Sequence, residues 1–285
     1  MTRVPTAAQR VLDAAVETLS NEGLSVSMDN IRMEEAIAAS GASRASAYRR
    51  WPTKHAFAAD VVVAAITQTT LLPESDSDLV QLTSLVNERI PDLATEQGRR
   101  NLVVESLRVS FTGDIHRLLA SRRWRTLIAL SAAQSPFFTD DLQRTVSEAI
   151  ARTENELDAK RAEIYRQLTT ILGYRIAPHM CNDNTDPYME LGTAMGSLMK
   201  GILLRAMASP QWLEERSECA LFGSTEKVPW SAPERMLTSL LLTYLEPDPA
   251  IIWDQSTIQS ALEHFHSLVC EMRIEADSPD ESAAP

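Results

Sequence analysis

Apolar residues recur at three- and four-residue steps along most of this chain, the spacing that lines one face of an α-helix. Val11, Leu12, Ala15, Val16 and Leu19 form the first such stripe, over Thr6–Asn21, and Gly23 is placed to end that helix. Leu24–Ser27 reads as a short connection, after which Ser27 or Asp29 can cap a second helix running to Ser40, with Ile31, Met33, Ala36 and Ile37 inward. Gly41 stops it, Ala42 is a small apolar peg, and Ser43 caps a third helix, Arg44–Arg50. Trp51-Pro52 terminates that one, because a residue before proline disfavours the helical region. Thr53 caps a fourth helix, expected over Lys54–Thr70, with Phe57, Val61, Ala64 and Ala65 sharing a face.

The same period continues to the far end. It predicts helices over Leu79–Arg89, Ala94–Phe111 and Asp114–Gln134, with Pro73–Asp78 as a loop. Pro136 breaks the chain, and Thr139 caps a long helix reaching Leu172, with Leu142, Val146, Ile150, Leu157, Ile164, Leu168 and Ile171 near one face. Pro178–Pro187 reads as irregular. Asp186 caps Pro187–Ser209, with proline at the first helical position. Met189–Met207 is apolar nearly all round and is expected to be central, its Gly192 and Gly196 allowing close helix contact. Glu218–Pro233 reads as loop, Ala232–Tyr244 and Ser256–Glu275 as the last helices, and 276–285 as a disordered tail. The fold class is all-α: three helices in residues 1–60, then a larger helical body over 61–275.

Composition agrees. The 285 residues are 44% hydrophobic and hold only nine glycines. The longest apolar run is Val61–Ile66, far short of the roughly 20 residues of a membrane span. Met1–Val11 lacks the apolar stretch of a secretory signal, so a cytoplasmic, membrane-free protein is expected. Cys181, Cys219 and Cys270 are few and far apart, which reads as reduced thiols. Catalytic motifs are missing: Gly196 and Gly201 have phosphate-loop spacing, but Ile202 and Leu203 follow where Lys and Ser or Thr are needed. His264 and His266 would point about 200° apart on a helix, a poor metal clamp. No catalytic residues, metal or cofactor are therefore expected.

Charge changes the picture. The net charge of −12 argues against nucleic acid until its distribution is read. Residues 1–60 sum to zero, and Ala36–Ala59 holds Arg44, Arg49, Arg50 and Lys54 with no acid. Two short helices joined by a glycine turn, the second of them basic, form a helix-turn-helix over about 32–51. Ala45 and Ala47 are small enough to let the third helix sit deep in a major groove, where arginine is the best reader of guanine.

The stretch Gly41-Ala-Ser-Arg-Ala-Ser-Ala-Tyr-Arg-Arg-Trp-Pro-Thr-Lys54 resembles the signature of the TetR family of bacterial transcriptional regulators, which typically reads G-V-S-x-x-T-[LI]-Y-x-[HR]-[FW]-x-[ST]-K. The resemblance covers residues 6–65. It implies that Tyr48 and Lys54 contact phosphates and that Ser43, Arg44, Ala45, Ser46, Arg49 and Arg50 meet base edges and nearby backbone. Ala47 replaces the usual Leu or Ile at an inward position. The second helix, Arg32-Met-Glu-Glu-Ala-Ile-Ala-Ala-Ser-Gly41, swaps the usual order of its Ile-Ala pair.

The resemblance further implies a body that dimerises through its last two helices and holds an apolar effector. Leu237, Leu240, Leu241 and Tyr244 form one stripe, and Ile258, Leu262, Phe265, Leu268 and Met272 another; paired across two protomers they would make a four-helix interface, with intramolecular core as the alternative. Phe111, Trp124, Phe137, Phe138, Tyr165, Met195 and Met199 are candidate cavity residues, with plain core as the alternative for each. His116, Arg108 and Arg125 are polar anchors or surface residues. The expected protein is a homodimeric repressor that binds a palindromic operator in double-stranded DNA and is released by a small apolar or amphipathic effector. The alternatives are a helical enzyme or adaptor with a vestigial head, and a regulator answering to a protein partner.

Overall fold

The structure is a computed structural model that describes residues 5–22, 31–71, 77–132, 140–181 and 184–277. It is mostly helical and divides into two compact units. Unit 1 takes residues 1–70 and 120–155, and unit 2 takes 71–119 and 156–284. This division differs from a boundary at residue 60: the fourth helix stays whole, and a later stretch joins the N-terminal helices.

Unit 1 is built on α1 (Ala7–Glu22), α2 (Met33–Ser40), α3 (Arg44–Arg50), α4 (Lys54–Thr67), α7 (Arg122–Ala132) and the start of α8 (Asp140–Leu172). The Thr6 hydroxyl accepts the Gln9 N–H at 3.1 Å and caps α1. Helix α2 begins later than its apolar pattern implies: Ile31 and Arg32 precede it, and Arg32 is extended with no side-chain cap. Its start is set by Glu34 and Glu35 in the first turn, which complement the helix dipole. Ser27 and Asp29, the expected caps, lie outside the described residues, as does Gly23. Gly41 ends α2 in the left-handed conformation, φ +66°, which glycine adopts without steric cost. Ser43 and Thr53 cap α3 and α4, accepting the Ser46 and Ala56 N–H groups at 3.2 and 3.1 Å. Val11, Leu19, Ile37, Ala47, Trp51 and Phe57 meet in one core, and the Trp51 and Phe57 rings lie edge to face at 5.1 Å. Helix α7 packs on α4 and α1. Its Trp124 indole N–H donates to the Thr70 carbonyl at 2.8 Å.

Unit 2 holds α5 (Ser77–Glu88), α6 (Glu96–Ala120), the rest of α8, β1 (Tyr174–Ile176), α9 (Pro187–Ala208), α10 (Gln211–Glu214), β2 (Arg216–Cys219), β3 (Val228–Ser231), α11 (Ala232–Tyr244), β4 (Leu245–Pro247) and α12 (Gln255–Asp277), with short 3-10 turns at Ile90–Ala94 and Pro178–Met180. The break expected near Gly113 is absent. A glycine inside a helix costs about 1 kcal/mol, less than α6 gains by burying Leu107, Phe111, Ile115 and Leu118 on one face. Outside the expected helices lie two small antiparallel pairs, β1 with β4 (Ile176 opposite Leu245) and β2 with β3 (Arg216 opposite Ser231); β3 and the end of β2 fall in Glu218–Pro233, the stretch expected as loop. Ser231 and Glu234 form a capping box at the start of α11. Glu234 is 1% exposed, yet its carboxylate accepts from the Ser231 N–H, the Thr112 hydroxyl and the Arg216 guanidinium at 2.8, 2.6 and 2.7 Å, so its burial is compensated. Gly192 and Gly196 do press α9 onto α8: a Cβ at either would stand 2.6 Å from Asp158 O or Arg161 Nη1.

Helix α9 is not central all round. Leu191, Met195, Met199, Ile202 and Leu203 are buried, but Thr193, Ser197, Gly201 and Leu204 are exposed. Helix α12 runs to Asp277, and the rest of the expected tail lies outside the described residues. No helix among the described residues is long and apolar enough to cross a membrane.

Candidate functional site

The first candidate surface is the outward face of α3 in unit 1. Ala47 and Trp51 are buried on the inner side, which fixes the rotation of this short helix. Ser43, Arg44, Ala45, Tyr48, Arg49, Arg50 and Lys54 are all exposed as a result, with Ser46 half-buried and its hydroxyl 2.9 Å from that of Ser43. One continuous stretch thus presents four cations and a phenol, with the small Ala45 exposed among them.

That stretch holds no acid, but the fold brings two to it. Glu34, from α2, accepts the Tyr48 hydroxyl at 2.5 Å and pairs with Arg44 at 3.0 Å. The hydrogen bond to Glu34 raises the Tyr48 pKa above the usual tyrosine value, so the phenol stays a donor. Asp60, from α4, pairs with Arg50 at 3.1 Å and accepts the Trp51 indole N–H at 2.8 Å. The Arg50 guanidinium also lies 5.9 Å from the Trp51 ring centre. Arg49 and Lys54 form no ion pair among the described residues. Glu34 and Asp60 were not among the residues singled out on the sequence, because both flank the basic stretch and meet it only in space. Arg44 is 77% and Arg50 61% exposed, so both pairs are solvent-screened and open readily.

The second candidate is a cavity of about 250 Å³ inside unit 2, walled by α5, α6, α8, α9 and α12 with Leu241 of α11. Of the residues expected there, Phe111, Tyr165, Met195 and Met199 line it. Trp124 does not; it is buried in unit 1. Phe137 and Phe138 lie outside the described residues. The stripes assigned to a dimer interface turn inward: Leu241, Leu262, Phe265 and Met272 line the cavity, Leu237 is fully buried, and Tyr244 is half-buried with its carbonyl accepting the Ala177 N–H at 2.8 Å. The physical reason is that α5 and α6 leave an apolar gap which α12 covers. Arg108, paired with Glu105 at 2.6 Å, and the exposed His116 and Arg125 are off the wall; Arg99, Asp114, Arg117 and Arg161 are its charged members.

His264 and His266 do not converge: the first is 3.4 Å from the Ser260 hydroxyl, the second 3.2 Å from the Asn87 amide oxygen. No family model matches the chain, and no curated protein sequence matches it.

Proposed function

We propose that this chain is a sequence-specific, DNA-binding transcriptional regulator of the TetR type, acting as a homodimeric repressor that a small molecule releases from a palindromic operator. The observation that carries the reading is α3 itself: a short helix, capped by Ser43, anchored by Ala47 and Trp51, that turns Arg44, Arg49 and Arg50 outward while Lys54 opens the next helix beside it. Helix α2, the turn at Gly41 and α3 form the helix-turn-helix, with α3 entering the major groove. Arginine there reads guanine, and Lys54 and Tyr48 hold phosphates.

A lone short helix reads too few bases, so the reading includes a second protomer on a two-fold axis. The outward faces of α9 and α11, which pack against each other, support this. They carry Thr193, Ser197, Gly201, Leu204, Met236 and Ser239 exposed, with no acid among them, on a chain of net charge −12. Gly201 sits mid-helix with open space where a Cβ would be, at a cost of about 1 kcal/mol relative to alanine. A partner backbone approaching there accounts for it.

The test is selection of duplexes from a random-sequence pool by the full-length protein, followed by a salt series on the selected duplex. A regulator enriches an inverted repeat, with half-sites about 34–36 Å apart, and loses affinity steeply as salt rises because phosphate contacts release counterions. Recovery of no common sequence overturns the reading.

A further inference from the structure

The effector's chemistry is written on the cavity wall; this inference rests on the reading of the unit 2 cavity as the effector site. The wall follows α6 from Arg99 to Arg117, which at 1.5 Å per residue is about 27 Å. Its surface is mainly aliphatic, with Leu102, Leu107, Ile164, Leu168, Met195 and Leu262 typical, and its four aromatic residues, Phe111, Tyr165, Trp253 and Phe265, form no ring pair with one another among the described residues. A long, narrow, aliphatic space fits an extended hydrocarbon chain. A flat polycyclic ligand is met instead by stacked aromatic side chains.

The two ends differ. At one, Arg99 donates to the Leu93 carbonyl at 2.9 Å and lies 5.0 Å from the Trp253 ring centre, so its guanidinium is already engaged. At the other, α6 and α8 bring together Asp114, Arg117, Arg161 and Tyr165. Arg117 pairs with Asp114, and Arg161 with Asp158 behind the wall, each at 2.6 Å. Two cations face two anions, so the charges balance. An ionised head group arriving here would be a buried charge with no free partner, which is costly. Tyr165 is the exception to this closed arrangement: among the described residues no group hydrogen-bonds its hydroxyl. Burial holds its ionisation far above the ordinary tyrosine range, so it remains an O–H donor. Its complement is a neutral acceptor.

We propose that the cavity binds a neutral long-chain acyl compound, an ester or amide, with the carbonyl oxygen accepting the Tyr165 O–H and the chain lying along α6 toward Trp253. The charged rival of the same length is the free carboxylate. It gains the same chain burial but, at the Tyr165 end, brings a charge to two arginines that each already hold an aspartate.

The experiment is calorimetric titration of the full-length protein, without DNA, with N-methyl lauramide, methyl laurate and laurate at neutral pH. The amide and ester bind, and laurate binds at least about tenfold more weakly. Tyr165→Phe weakens the amide by up to about tenfold, the worth of one neutral hydrogen bond, without lowering the melting temperature, since the hydroxyl bonds no group among the described residues. Laurate binding as tightly as the amide, equal amide affinity in Tyr165→Phe, or no binding of amide and ester each overturns the proposal. DNA binding is measured on the same preparation: selected-duplex binding without acyl binding overturns the ligand assignment alone, and acyl binding without duplex binding overturns the regulator reading while leaving the ligand assignment standing.

Discussion

The α3 face of unit 1 and the cavity of unit 2 are opposite solutions to presenting chemistry. The first is one unbroken stretch, Ser43–Lys54, whose working groups stand in solvent and whose rotation is fixed by two buried residues. The second is a wall gathered from segments between Leu71 and Met272, whose working groups are also its packing. On the α3 face, then, side chains are separable from the fold: removing one subtracts a contact and little stability. On the cavity wall a substitution changes both, except where a lining group has no hydrogen-bond partner among the described residues, as with the Tyr165 hydroxyl.

The largest effect is expected of the double variant Arg49→Ala, Arg50→Ala. Each guanine contact is worth about 1–3 kcal/mol and a dimer loses every one twice, so specific binding should vanish. The melting curve should barely move, because exposed residues shift stability by about ±0.5 kcal/mol. Footprinting and a thermal melt check both halves, and an unchanged footprint removes α3 from the recognition role. Next in size is Phe57→Ala. Phe57 is fully buried against Trp51 in the unit 1 core. Its truncation should cost about 3–5 kcal/mol of stability, read by denaturant titration, with DNA affinity falling as a consequence of unfolding. A stable Phe57→Ala protein would show that unit 1 collapses around the gap.

Gly201→Glu separates fold from assembly. In an isolated protomer the change should be neutral to stabilising by about 0.5 kcal/mol, since glutamate is the better helix former and nothing lies within 4 Å of the new Cβ. In the proposed dimer, with α9 and α11 at the two-fold axis, it would set two carboxylates against each other. Sedimentation should therefore give a folded monomer, and a persistent dimer would move the interface away from α9 and α11.

The helix caps, the turn and the close helix contact were readable because their signals are local. Ser43, Thr53 and Asp186 cap the helices they precede, Gly41 turns the chain, and Gly192 and Gly196 mark the close approach of α9 to α8. What was not readable is set by distance in sequence. Leu262 and Phe265 give the same helical stripe whether it faces a partner or a cavity, and only the position of α5 and α6 decides between them. Strands of three or four residues such as Arg216–Cys219, exposed along most of their length, carry no alternation to detect. The acids that answer the basic stretch, Glu34 and Asp60, lie outside it and reach it through α2 and α4.

Glu34 supplies the smallest and most diagnostic effect. In the free protein its carboxylate occupies the Tyr48 hydroxyl and the Arg44 guanidinium, two of the groups assigned to DNA. If α3 binds DNA as proposed, Glu34 holds one group assigned to phosphate and one assigned to base edges, so binding would displace it from both while its charge repels the incoming backbone. Exposed pairs of this kind are worth about 0–1 kcal/mol, so the obstacle is modest. Glu34→Gln keeps an acceptor for Tyr48 and deletes the charge. It should tighten binding by about two- to tenfold at low salt, with the gain shrinking as salt screens the repulsion. Repulsion between Glu34 and phosphates carries no sequence information, so that part of the gain should be the same for selected and scrambled duplexes, and any excess on the selected duplex is Arg44 freed for base contact. Fluorescence anisotropy on both duplexes across a salt series measures it. If Glu34→Gln weakens binding, and weakens it more on the selected duplex, then Glu34 holds Tyr48 and Arg44 in their reading positions, and the separability of the α3 face from the helix behind it fails at that contact.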